Sequence, residues 1–554
     1  MKEMTKPLKK YVVFAVWFFI LLLVVPGYSK AQESAQPSQS AQSAQSAQSA
    51  PPASGITVDL SQLDHYFEAA RQAWKIPGIA VAIVKDGQVV FAKGYGVREY
   101  AKEEKVDEKT LFAIASNTKA FTAATLAMLV DEGKISWDDK VRQYLPYFKL
   151  YDPYITEEIT IRDLLCHRSG LKTFSGDMIW YETSYSPEEV IKRARYLKPV
   201  LGFRGGFGYS NIMFITASEI VPAVTGTPWK DFVKERIFKP LGMESSTLGT
   251  SDLKTCPNVA SAHYVFPDGK TVVVPYTPSD NLGGAAAINS NAVDMAQWIK
   301  MLLNNGLIGN QKILSEGSIW EMWSSQIAVK VSRGYTKLFP STHFRNYGMG
   351  WGLSDYLGYK VVAHGGALDG MISQVALVPE INLGMVILTN SINRLPTALM
   401  YKVIDTYAGA PDKDWSGNFL EQSQKSDQED MELAVKLPPK KPKGKEEIVD
   451  LRDFSGDYSC VMYGDSRVSI EKNKLVLELL PAPIFISDLT YMYHDIFQLK
   501  FRNTFSFVPH GTGTVQFIRD KSGKVVEMKI DVPNHDFWFD ELEFKKKSDE
   551  ETPK

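Results

Sequence analysis

Three cysteines in 554 residues, Cys166, Cys256 and Cys460, are too few for a disulfide framework; at most one pair could form. An excess of basic charge is also missing: 62 Lys and Arg face 64 Asp and Glu, a formal net charge of −2. Without a basic field, nucleic acid drops out as a partner. The eight histidines show no His-x-His or His-Glu-x-x-His spacing, and no Gly-Lys phosphate loop occurs. No metal or other cofactor is therefore expected. Gly-x-Ser-x-Gly is absent as well, which argues against an α/β-hydrolase with its serine on a nucleophile elbow. Apolar residues, by contrast, are plentiful at 44%, enough for more than one packed core, and the length suits two or more globular units.

The first 31 residues read as an export signal: Lys2, Lys6, Lys9 and Lys10, then the apolar run Tyr11–Pro26, then small residues at Ser29–Ala31. The run is short for a membrane span of about 20 residues, and the sequence leaves open whether it is cleaved or kept as an anchor. The expected location is periplasmic or extracellular, free or tethered. Residues 32–55 repeat Ser, Ala and Gln and read as a flexible tether. A folded unit is expected over 56–410. Its stretch Ile79–Gly96, two strand-like runs joined by Lys85-Asp86-Gly87, predicts a hairpin. Helices are predicted over Ser116–Glu132, Tyr209–Thr225 and Asn291–Asn304, and strands over Gly348–Leu353, Tyr359–Gly366, Ser373–Glu380 and Leu383–Asn390. Strands at both ends with helices between predict an α+β unit, an antiparallel sheet flanked by helices with an all-helical region beside it. Residues 411–447, rich in charge and proline, read as a linker, and the short alternating segments of 448–548 predict a small all-β barrel.

The chemistry starts from "AIASNTKAFTAATLAMLV" at 113–130. Ser116 and Lys119 are three apart and share a helix face. A lysine among Ala120, Phe121, Ala123 and Leu126 is poorly solvated, which favours its neutral form and lets it take the proton of a neighbouring hydroxyl. Alone, the common tetrapeptide reads better as a helix cap with a solvent-facing lysine. "GYSNIMFITASEIV" places Tyr209 and Asn211 at the mouth of a second apolar helix, and "AHGGALDG" places His364, Gly365 and Gly366 at a strand end. "CHRSG" (166–170) holds a thiol, an imidazole and a hydroxyl on one short loop. Adjacent residues there rarely present both groups to one substrate, so it reads as a structural turn near the site.

In this order and at this separation, the three motifs resemble those of the penicillin-recognising serine hydrolases, the superfamily of class C β-lactamases, D,D-peptidases and related esterases. The stretches "ITIRDLLCHRSGL", "IFKPLGMESSTLG" and "AAAINSNAVDMAQWIKML" are similar too. The resemblance implies a serine-β-lactamase-like fold and an acyl-enzyme formed on Ser116, with Lys119 accepting its proton. It implies Tyr209 as proton relay and His364 in the third-motif position that relatives fill with lysine or histidine. It further implies Asn211 against substrate amide or Lys119, the N–H groups of Ser116 and Ala367 as oxyanion hole, and Gly366 clearing room for substrate. The third motif lacks a central hydroxyl, and no counterpart of the class A glutamate base is evident, which favours a peptidase or esterase over a β-lactamase. The expected substrate is a small molecule or peptide. The tail is similar to lipocalin-like domains of some peptidases of this group, where narrowing of the site or self-association would be its role. A silent scaffold that kept the fold is the rival reading.

Overall fold

The computed structural model describes residues 58–266, 268–436, 449–503, 505, 511–534 and 536–548. The expected export signal (1–31) and tether (32–55) lie outside the described residues. The chain enters through helix α1 (Leu60–Ala73) and the hairpin β1 (Gly78–Lys85) and β2 (Gln88–Gly96). Asp86 and Gly87 both take positive φ, 50° and 72°, as a two-residue turn matching the strand twist requires. The helical region follows, with α2 (Thr118–Asp131), the short α3 (Asp177–Trp180) and α4 (Asn211–Thr225). Helix α5 (Ala292–Leu303) leads back to strands β3 (Ile327–Ala328), β4 (Arg345–Tyr347), β5 (Gly352–Tyr356), β6 (Tyr359–Leu368), β7 (Met371–Val378) and β8 (Leu383–Thr389). Together these make one antiparallel sheet in the order β3-β4-β5-β6-β7-β8-β1-β2, so chain start and end meet where Val81 pairs with Ile387.

The sheet is covered on both faces, which is why β1, β7 and β8 read as unbroken apolar runs rather than alternating ones. Side chains of alternate residues leave opposite faces. Ala80, Ala82, Val84, Val386 and Leu388 join the core shared with α2, α4 and α5. Ile79, Val81, Ile83, Met385 and Ile387 join a second core with α1 and α6 (Leu395–Ala408).

Three boundaries differ from the sequence reading. Of the stretch expected as a strand, Gly348–Leu353, residues 348–351 are a bend between β4 and β5 and only 352–353 are strand, because Gly350 adopts a φ of 76° against the backbone of Lys119. The second apolar helix begins at Asn211, capped by the Ser210 hydroxyl on the amide of Met213, and leaves Tyr209 outside it. The supposed linker carries a helix, α7 (Trp415–Lys436), because Trp415 and Phe419 bury themselves against Phe339 and Tyr401. Two aromatic anchors outweigh a polar average composition.

The tail is a closed up-and-down barrel of eight strands: β9 (Gly456–Cys460), β10 (Gly464–Glu471), β11 (Lys474–Leu479), β12 (Ile486–Tyr493), β13 (Ile496–Phe501), β14 (Thr512–Arg519), β15 (Val525–Asp531) and β16 (Phe544–Lys546). Closure leaves no open sheet edge. Phe454, Phe497 and Phe517 pack edge-to-face in its interior. Cys166, Cys256 and Cys460 are all free thiols.

Candidate active site

From Thr110 to Leu129 every residue is buried except Ser116. The serine sits on a 3-10 turn, Ala115–Asn117, directly ahead of α2. Ala115, just before it, is held at a φ of 48°, a conformation an alanine adopts only when its surroundings enforce it. The same turn puts Ser116 against β6: a Cβ on Gly366 would lie 2.1 Å from the carbonyl of Ile114 and 3.0 Å from the amide nitrogen of Ser116. Only glycine permits that approach.

Lys119 is fully buried in the first turn of α2. Its Nζ lies 3.0 Å from Ser116 Oγ, 2.7 Å from Asn211 Oδ1 and 2.9 Å from the carbonyl of Ala285. Burial pulls its pKa down to about 7, with Asp177 pushing weakly the other way. Two of the three neighbours are oxygens that only accept. A neutral amine has two hydrogens and one lone pair. The hydrogens go to Asn211 and Ala285, so the lone pair faces the hydroxyl of Ser116. The lysine is set to receive that proton.

Asn211 is fixed from its other end, where Nδ2 donates to Asp177 Oδ2 at 2.7 Å, and Asp177 Oδ1 accepts from Trp180 Nε1 at 2.8 Å. Burial raises the Asp177 carboxyl to about 8, so this aspartate is largely protonated at neutral pH. Asp177 is a site residue that the sequence reading missed. An aspartate in "SGDMIW" carries no spacing signal, and only the fold sets it behind Asn211.

Tyr209 lies beside Lys119, its ring centroid 4.8 Å from Nζ. Burial pushes its pKa well up, so the phenol keeps its proton until a stronger base draws on it. His167, from the "CHRSG" turn, lies against Tyr209 with ring centroids 4.1 Å apart. Its Nδ1 accepts from the amide of Ser210 at 3.0 Å. This imidazole shapes the pocket from behind, consistent with a structural turn beside the site.

His364 does reach the pocket, with its ring centroid 6.2 Å from that of Tyr209. Nδ1 is 2.6 Å from the carbonyl of Gly365 and therefore carries the hydrogen, which leaves Nε2 to accept from Tyr347 at 2.8 Å. Burial brings its pKa down to about 3, so the imidazole is neutral across the physiological range. Its pairing with β5 ends at Gly352–Ala363, and beyond that point β6 runs past Ser116. Ala367 is the exposed residue of the otherwise buried stretch 364–368, where the second oxyanion donor was expected.

Ser116, Lys119, Tyr209, Asn211, His364 and Gly366 thus converge, and Ala367 follows Gly366 on β6. A serine hydrogen-bonded to a desolvated lysine, with a phenol close by and a strand edge cleared by glycine, is an arrangement suited to acyl transfer. Residues 63–400, well over half the chain, match the β-lactamase family. The chain belongs to that family. Residues 440–546 match a domain of unknown function, DUF3471. Among curated relatives, an unguisins hydrolase of Aspergillus campestris is 33% identical over 62% of this chain. The matched region spans 65% of that relative's own length. The flp protein of Staphylococcus aureus strain MW2 is 29% identical over 59% of this chain and 62% of its own. Among solved structures, the octameric penicillin-binding protein homologue of Pyrococcus abyssi superposes with a TM-score of 0.57 at 22% identity. It covers 88% of this chain and 100% of that one, so the shared architecture extends into the barrel. A D-amino acid amidase of Ochrobactrum anthropi SV3 superposes at 0.51 and 23% identity, over 66% of this chain and 99% of its own. The serine-β-lactamase-like α/β fold is thereby established.

Proposed function

We propose that this β-lactamase-family protein is an exported serine hydrolase that opens amide or ester bonds through an acyl-enzyme, with small peptides as its first substrate class. The observation that carries the reading is the surroundings of Lys119: two obligate acceptors and one hydroxyl around a buried amine. In acylation, Ser116 Oγ attacks the carbonyl carbon while its proton passes to Lys119. The oxyanion faces the amides of Ser116 and Ala367. Tyr209, beside Lys119, hands a proton to the leaving nitrogen or oxygen, recovers one from Lys119, and later orients water on the ester. The relative named as a hydrolase supports the reaction class. Export rests on the lysine-led apolar run at the N-terminus.

The test is labelling of the purified protein with a fluorescent fluorophosphonate and a fluorescent penicillin. Labelling that disappears in Ser116→Ala supports an enzyme, and no labelling by either probe favours a silent scaffold. A panel of ester, D-amino-acid peptide and β-lactam substrates then separates esterase, peptidase and lactamase, with β-lactam turnover expected to be slowest. Mass spectrometry of the secreted N-terminus reads the export signal directly.

A further inference from the structure

The barrel meets the hydrolase unit through one of its ends. The turn between β9 and β10 accepts from Arg193 and Tyr185, through the carbonyls of Met462 at 2.9 Å and Tyr463 at 2.7 Å. Phe485 and Phe537 pack on the ring of Tyr181, with centroids 5.8 and 4.5 Å away. The most specific contacts come from residues 538–541 and converge on one short segment, Lys172–Asp177. Trp538 Nε1 donates to the carbonyl of Thr173 at 2.7 Å, and the Lys172 ammonium lies 3.8 Å from the Trp538 ring centroid. The carboxylate of Glu541 accepts from Ser175 Oγ at 2.7 Å and from the amide of Gly176 at 2.9 Å.

This segment supports both proton carriers. At its start, Thr173 Oγ1 accepts from the amide of Tyr209 at 3.2 Å, and the amide of Phe174 donates to the carbonyl of Tyr209 at 2.7 Å. At its end comes Asp177, the anchor of Asn211 and hence of Lys119. Between them the backbone is costly to hold: Phe174 takes a φ of 62°, and α3 opens without a side-chain cap of its own. A strained loop without local caps needs outside support, and Glu541 and Trp538 supply it.

We propose that the C-terminal barrel is a positioning element for the catalytic centre, with Trp538 and Glu541 clamping the 172–177 segment and thereby placing Tyr209 and the Asp177–Asn211–Lys119 line. The proposal rests on the serine-hydrolase reading. It gives the barrel a role in rate, beyond narrowing the entrance.

The experiment uses the full chain in three variants: Glu541→Ala, Trp538→Phe and, on the hairpin at the opposite end of the barrel, Lys472→Ala. The second-order rate of fluorophosphonate labelling is followed from pH 5 to 9, with thermal melting recorded alongside. Glu541→Ala and Trp538→Phe are each expected to slow labelling about tenfold or more, as sub-ångström misplacement of reacting groups does. Loosening the clamp also admits water to Lys119, so the acid limb of the profile moves to higher pH. Lys472→Ala matches the parent. Trp538→Phe removes one hydrogen bond and keeps the ring under Lys172, so it decides the question even if Glu541→Ala unfolds. Folded clamp variants with the parent's rate and acid limb overturn the proposal, as does an equal loss in Lys472→Ala. A parent chain that never labels at Ser116 overturns the hydrolase reading itself, a distinct result.

Discussion

Two buried bases flank Tyr209, and their surroundings differ. Burial favours the neutral form of both, Lys119 coming down to about 7 and His364 to about 3. Yet the imidazole has both nitrogens engaged, one by the Gly365 carbonyl and one by the Tyr347 hydroxyl. The amine has only acceptors and the nucleophile around it. Desolvation alone therefore does not make a catalytic base. The base must also keep a lone pair aimed at the reacting proton and a pKa near the working pH. Lys119 meets both conditions. His364 meets neither, and its part is to brace the pocket through Tyr347.

The hardest blow to this contrast is removal of the amine. Ser116→Ala should abolish acylation, and Lys119→Met should lower it by about 10⁴-fold, as single losses in a catalytic unit do. Labelling kinetics read both, and an active Lys119→Met enzyme would transfer the role of base to another group. Next comes the pH profile of the parent. Because the neutral amine is the active form, acylation rises as pH climbs through about 7, then levels. His364→Gln sharpens the comparison: it forfeits one or two neutral hydrogen bonds, so acylation falls no more than about tenfold. The acid limb near 7 stays in place. A limb that moves in His364→Gln would make the imidazole part of the proton path.

The contrast also shows what sequence could and could not reveal. Ser116, Lys119, Tyr209, Asn211, His364 and the two glycines of "HGG" were legible because they sit in short motifs whose spacing is local. Strands β1, β2, β6, β7 and β8 were legible because apolar runs of β-branched residues have few other uses. Asp177 was not, since its importance lies in a contact with Asn211 across 34 positions of chain. Nor was α7, whose first turns are held by Trp415 donating to Asp405 and stacking on Phe339, contacts that composition cannot foresee. The neutrality of His364 was equally hidden: a histidine in a motif looks alike whether it titrates at 3 or at 7.

The smallest expected effect compares the two domains where they meet. Asp536 of the barrel and Glu182 of the hydrolase unit both face Asp369, and burial with that like charge raises each carboxyl to about 7. An acid whose folded pKa exceeds its unfolded one holds a proton that unfolding releases. Stability is then retained below the unfolded value near 4, falls as pH rises through the interval, and is fully lost above the folded value. A shift of this size bounds the cost per group at about 4 kcal/mol, and Asp536 is only part-buried, so solvent screening leaves a fraction of it. Asp536→Asn should therefore raise the melting temperature at pH 8 by about 2–4 °C and by less than half as much at pH 5. Differential scanning calorimetry at the two pH values reads the difference. An equal gain at both would mean that the asparagine acts through packing and that the carboxyls on the two sides of the junction do not repel one another.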